Sequence, residues 1–132
     1  MMMLLVACSS TPPILGMVPC PKRPNCVSSL AEKSSDQRVE PLTNRAGDPP
    51  SWDRLHTIIS KFDGALLVTE RADYRHYTIS TPTLGFTDDL EFSLRQGVLH
   101  VRSASRVGYS DMGVNRARVD SIRNTIQNQH TR

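Results

Sequence analysis

The chain is poor in aromatic residues, has no long apolar run and carries no block of Lys or Arg. Phe, Trp and Tyr make up only 5% of its 132 residues. Stacking platforms for nucleic acid are therefore missing, and so is a basic tract to track a phosphate backbone. The apolar stretch at residues 1–7 is far too short to cross a bilayer. The Gly-x-Ser-x-Gly turn of serine hydrolases is absent, as is a redox Cys-x-x-Cys. His56, His76, His100 and His130 are scattered and suggest no metal set; each is expected at the surface or partly packed. No metal and no cofactor is therefore expected.

What is present fits one small domain. Hydrophobic residues are 38% of the chain and unevenly spread. Residues 1–50 are rich in Pro, Ser, Asn and Asp, whereas apolar periodicity begins at Ser51. The expected organisation is a signal segment at 1–7, a tether and arm at 8–50, one α+β domain at 51–128 and a tail at 129–132. The net charge is +3. Arg102, Arg106, Arg116, Arg118, Arg123 and Arg132 against Asp111 and Asp120 give the C-terminal third a local charge of +4. Such a face is either simply solvated or meets phosphate, anionic lipid or an acidic partner.

Leu5-Val6-Ala7-Cys8 resembles a bacterial lipobox, in which the cysteine is acylated and becomes the mature N-terminus. That implies export, a membrane anchor on Cys8 and a periplasm-facing domain. Ser9 behind the cysteine, by resemblance to enterobacterial lipoproteins, favours the outer membrane. No Lys or Arg precedes the apolar run, so the alternative is a buried or disordered hydrophobic N-terminus. Setting Cys8 aside leaves Cys20 and Cys26, which are expected to pair in an oxidising compartment. Metal binding and free thiols are the alternatives, although the spacing does not match a zinc site.

Trp52, Leu55, Ile58, Ile59 and Phe62 recur at helical spacing, predicting a helix over 51–62 with Gly64 behind it. Residues 65–70 and 74–80 read as strands around an Ala72-Asp73 turn. Leu90, Phe92 and Leu94 alternate with polar residues, as do Leu99 and Val101, around Gln96-Gly97. This predicts a hairpin pairing Arg95 with Val98, Ser93 with His100 and Glu91 with Arg102. Val119, Ile122 and Ile126 predict a last helix over 113–128. The expected fold is α+β: a small antiparallel sheet of about four strands flanked by an N-terminal and a C-terminal helix, with an extended N-terminal arm.

Three segments carry a family resemblance. They are Cys20-Pro21-x-x-Pro24-Asn25-Cys26-Val27-Ser28-Ser29, Gly85-Phe86-Thr87-Asp88-Asp89-Leu90-Glu91-Phe92, and the run from Arg102 through Gly108, Tyr109, Asp111 and Gly113 to Arg116. Together they resemble the domain of unknown function 1499 family, in a lipoprotein-type bacterial form. The resemblance implies no defined chemistry.

The candidate ligand-binding residues are Asp88, Asp89, Glu91, Arg102, Ser103, Ser105, Arg106, Tyr109, Asp111, Asn115 and Arg116. They form either an ion-pair scaffold, with Asp111 or Ser110 capping the last helix, or a site for a small polar or anionic ligand or an envelope protein partner. An enzyme is the weaker expectation. Ser103 and Ser105 lie an odd number of residues from His100 and so face the other side of a strand. A hydrolase-like use of the same face, or a basic last helix resting on anionic lipid, are the alternatives.

Overall fold

The computed structural model describes residues 16–81, 85–108 and 111–128. Cys8, Tyr109, Ser110 and His130 lie outside these, and with them the lipidation site and one candidate ligand-binding residue. Seven elements follow in order: β1 (Cys26–Ser28), α1 (Trp52–Ile59), β2 (Ala65–Arg71), β3 (Tyr74–Ser80), β4 (Thr87–Arg95), β5 (Val98–Ser105) and α2 (Val114–Asn128). The strands form one antiparallel sheet in the order β1-β5-β4-β3-β2.

The α+β class holds, but the expectation of about four strands does not. The fifth strand, β1, is the first element of the chain. It pairs Cys26 with Ala104 and Ser28 with Arg102 along the edge of β5. Three residues are too few to show a period, so only the paired β5 edge defines this strand. The disulfide between Cys20 and Cys26 closes the loop just before it.

The β4–β5 hairpin keeps the expected register, from Arg95↔Val98 through Glu91↔Arg102 to Asp89↔Ala104. Gln96 and Gly97 both have positive φ, the twist-matched conformation of a two-residue turn. Helix α1 is shorter than expected. Ser51 caps its start, accepting from the Arg54 N–H at 3.2 Å. Beyond Ile59 the chain tightens, with Lys61 and Phe62 bonding three residues back, so the apolar spacing outlasts the α-helix. Gly64 turns into β2 at φ +75°, where a Cβ would lie 2.1 Å from the Ser80 carbonyl oxygen.

Both helices cover one face of the sheet. Leu55, Ile58 and Ile59 of α1 and Val119, Ile122 and Ile126 of α2 pack with Leu90, Phe92, Leu99 and Val101. The polar segment before α1 adds Val27, Val39 and Leu42 to this same core. Its alternate residues do not repeat at any period because it is pinned by single bridges, Ser28↔Arg38 and Leu42↔Leu99. No helix among the described residues is long and apolar enough to cross a membrane.

Candidate functional site

Period two assigns the sheet's other face to Tyr74, His76, Asp89, Glu91, Ser93, His100, Arg102 and Ala104. In a two-layer fold such a face ordinarily meets water. Here His76 and Glu91 are each 2% exposed and Arg102 is 7% exposed. The cover comes from the chain's first described residues. Met17 is buried over the face and its N–H points at Glu91 Oε1 at 3.4 Å. The disulfide-closed loop lies beside it. A cavity of about 260 Å3 lies between this loop and the sheet, walled by Arg23 and Asn25 from the loop and by His76, Asp89, Glu91, Arg102, Ser105 and Arg106.

Three of these side chains stand on one rung. His76 faces Glu91, and Glu91 faces Arg102, on adjacent strands. Glu91 Oε2 accepts from Arg102 Nη1 at 3.2 Å, and Oε1 accepts from the Tyr74 hydroxyl at 2.5 Å. Burial, then the hydrogen bond to Glu91, push the Tyr74 hydroxyl well above the usual phenol range, so it stays a proton donor.

One residue along, Asp89 is gripped from two sides. His76 Nε2 lies 2.7 Å from Oδ1, and Arg106 reaches the carboxylate with Nη2 and Nε, both at 2.9 Å. Partial burial works to raise the Asp89 pKa. The hydrogen bonds from His76 and Arg106 and their charge outweigh it and bring the pKa down to about 2. An ionised Asp89 only accepts, so His76 Nε2 carries the proton. His76 Nδ1 is buried and has no partner among the described residues, and the same is true of Arg102 Nε.

Of the remaining candidates Ser105 also lines the cavity, and the others are placed elsewhere. Asp88 points to the helix side and binds Arg118 at 2.8 Å. Ser103 donates to Asn115 at 2.6 Å, and Asn115 Nδ2 reaches Ser105, Asp111 and the Asn25 carbonyl. Asp111 caps α2, accepting from the Gly113 and Asn115 N–H groups. Arg116 donates to the carbonyls of Arg38 and Asp36. The expected single network of carboxylates and guanidiniums is thus two. One, of Asp89, Glu91, Arg102 and Arg106, lines the cavity. The other, of Asp88, Ser103, Asp111, Asn115 and Arg116, fastens α2 and the arm to the sheet, with Ser105 touching both through Asn115 and the cavity wall. The cause is strand alternation, which sends adjacent Asp88 and Asp89 to opposite faces.

Sequence reasoning did not single out His76, Arg23, Asn25, Tyr74 or Arg118. His76 is a core residue rather than a surface one, and its partner Asp89 sits on the next strand. His100 Nδ1 pairs with the Ser29 hydroxyl at 3.0 Å, but that hydroxyl also accepts from the Val101 N–H, so the pair fastens the segment after β1 onto β5. Among the described residues, no group of three or more His, Cys, Asp or Glu side chains is placed to hold a metal ion.

No curated protein and no solved structure matches the chain. A family model described as a protein of unknown function (DUF1499) matches residues 17–126, from the strap over the polar face to the last helix. The chain belongs to the DUF1499 family.

Proposed function

We propose that this chain is an exported, lipid-anchored binding module of the bacterial envelope, and that the cavity under the disulfide-closed loop takes a small anionic ligand. The observation that carries the ligand reading is the charge of the cavity wall. Arg23, Arg102 and Arg106 stand against Asp89 and Glu91, an excess of one positive charge. Burial strengthens the charges of Glu91 and Arg102, whereas Arg23 and Arg106 are exposed to water. The address rests on the lipobox-like Leu5-Val6-Ala7-Cys8, and the paired Cys20 and Cys26 fit an oxidising compartment. The outer membrane, favoured by Ser9, is part of the same proposal.

The basic C-terminal helix supports a membrane-surface role less well. Arg116, Arg118 and Arg123 already bind backbone carbonyls or aspartates of the chain itself. An enzyme reading is not favoured either, since among the described residues Ser103 and Ser105 meet Asn115 and Arg118 rather than a base.

Native mass spectrometry of the full chain, expressed with export in a bacterial host, tests both halves. An acyl mass that disappears in Cys8→Ser is the expected sign of the anchor. A reproducible small-molecule adduct, lost in Arg106→Ala with the fold intact by circular dichroism, is the expected sign of the site. A chain without acyl mass overturns the address. An adduct-free chain that also binds no added anion overturns the binding role.

A further inference from the structure

Among the described residues Arg102 is the one arginine that is itself buried, and it is poorly satisfied. Its residue is 7% exposed, yet its only side-chain hydrogen bond among the described residues runs from Nη1 to Glu91. Nε is buried and unpartnered among the described residues, and the one side-chain hydrogen bond to a described residue leaves from Nη1 rather than Nη2. A buried guanidinium normally fills most of its five donors. The Nε and Nη2 hydrogens of an arginine lie parallel along one edge, the geometry that matches two oxygens of one carboxylate or phosphate. Arg106 uses this very edge, with Nε and Nη2 both at 2.9 Å from Asp89. Arg102 lines the same cavity, and the Nε on its matching edge is closed off from water with no acceptor among the described residues.

The neighbours explain why Glu91 does not fill that need. Its Oε1 is engaged by Tyr74 and Met17, and its Oε2 meets Arg102 end-on through Nη1 alone. Asp89 is closed off by Arg106 and His76. Arg23 from the loop supplies further positive charge at the same cavity.

We propose that the ligand is an oxyanion with two syn oxygens, a carboxylate or a phosphate, seated side-on on the Nε–Nη2 edge of Arg102. This rests on the reading of the cavity as an anion site and specifies its chemistry. Arg102 then holds two anions at once, Glu91 on Nη1 and the ligand on the adjacent edge. Glu91 fixes the plane of the guanidinium and leaves the fork pre-oriented, which lowers the ordering cost of binding.

The test titrates the full chain with inorganic phosphate and, separately, with acetate, following the side-chain Nε–H resonance of Arg102 by nitrogen-15 NMR. The expected result is a saturable shift of that resonance with at least one probe. Tighter binding of phosphate identifies a phosphate ester as the ligand class, and tighter binding of acetate a carboxylic acid. Arg102→Lys keeps a cation beside Glu91 but removes the fork, and affinity is expected to fall at least tenfold. Should Arg102→Lys not fold, the native resonance alone decides. Saturable binding that leaves the Arg102 Nε–H unmoved, or that survives in Arg102→Lys, overturns the fork while the cavity remains an anion site. No binding of either probe overturns both.

Discussion

Glu91 and Arg102 set the most severe electrostatic demand on single residues in this fold. Both are nearly dry, with side chains 2% and 9% exposed. Removing one partner leaves an uncompensated buried charge, which costs about 3–5 kcal/mol, whereas removing both is far cheaper. Arg102→Met is therefore expected to lower unfolding free energy by that amount. The double variant Glu91→Gln/Arg102→Met should recover most of it in urea denaturation. Asp89 makes a separate, pH-dependent contribution. Its folded pKa of about 2 lies below the ordinary 3.8, so the folded state binds its proton less readily than the unfolded chain. The resulting stability is fully present above the ordinary value and is lost as pH falls through about 2. Asp89→Asn removes this component. The stability gap between the native chain and that variant should be constant near neutral pH and narrow from about pH 4 downward, as denaturation midpoints measured across that range will report. The cross-strand Glu91–Arg102 pair was legible in the sequence because hairpin register follows from alternation and from the two-residue turn. The His76–Asp89 contact was not. It depends on the β3–β4 register, and the connection between those strands offers no short turn to count from.

At the scale of elements, local signals wrote most of the fold. The helical stripe of α1, the alternation of β4 and β5 and the capping aspartate of α2 each follow from residues a few positions apart. Glycines mark where backbone geometry is not negotiable, and two of them separate conformation from contact. Gly64 and Gly97 have nearly the same positive φ, +75° and +76°. At Gly97 an added Cβ has open space, so Gly97→Ala should cost only the left-handed backbone penalty of about 1–2 kcal/mol. At Gly64 the Cβ collides with the Ser80 backbone, which is hydrogen-bonded to the Gly64 carbonyl. Gly64→Ala must displace the start of β2 from the end of β3 and should be clearly the more destabilising in thermal unfolding; equal effects would show that the strand end yields freely. Strand β1 escaped sequence reading for the opposite reason. It has no stripe and no turn pair, Val27 alone is too little propensity to mark a strand, and its pairing partner lies more than seventy residues away.

For the whole molecule, the decisive feature is that the first described segment folds back over a face that the sheet alone would leave wet. The burial of His76, Glu91 and Arg102 is a property of that closure. No local pattern encodes it, and this explains why the candidate residues could be gathered from the sequence but not sorted into a cavity wall and a scaffold. The closure is held by Met17, by β1 on the β5 edge, by the Asn25 side chain on the Gly108 carbonyl at 2.6 Å, and by the disulfide. The two cysteines are six positions apart, so the bond closes a short loop and contributes about 2 kcal/mol through the unfolded chain. Its larger effect is local, because Cys26 is itself a strand residue and the loop between the cysteines supplies Arg23 and Asn25 to the cavity. Reduction should therefore loosen the strap before it unfolds the core, which is secured on the other face by α1 and α2. Hydrogen exchange of the reduced and oxidised chain separates the two effects. Faster exchange confined to the amides of residues 17–29 and the facing edge of β5, with Leu90, Phe92 and Ile122 still protected, is the expected pattern. A uniform rise across the sheet and α2 would instead make the disulfide part of one global folding unit, and the cavity would then have no independently movable roof.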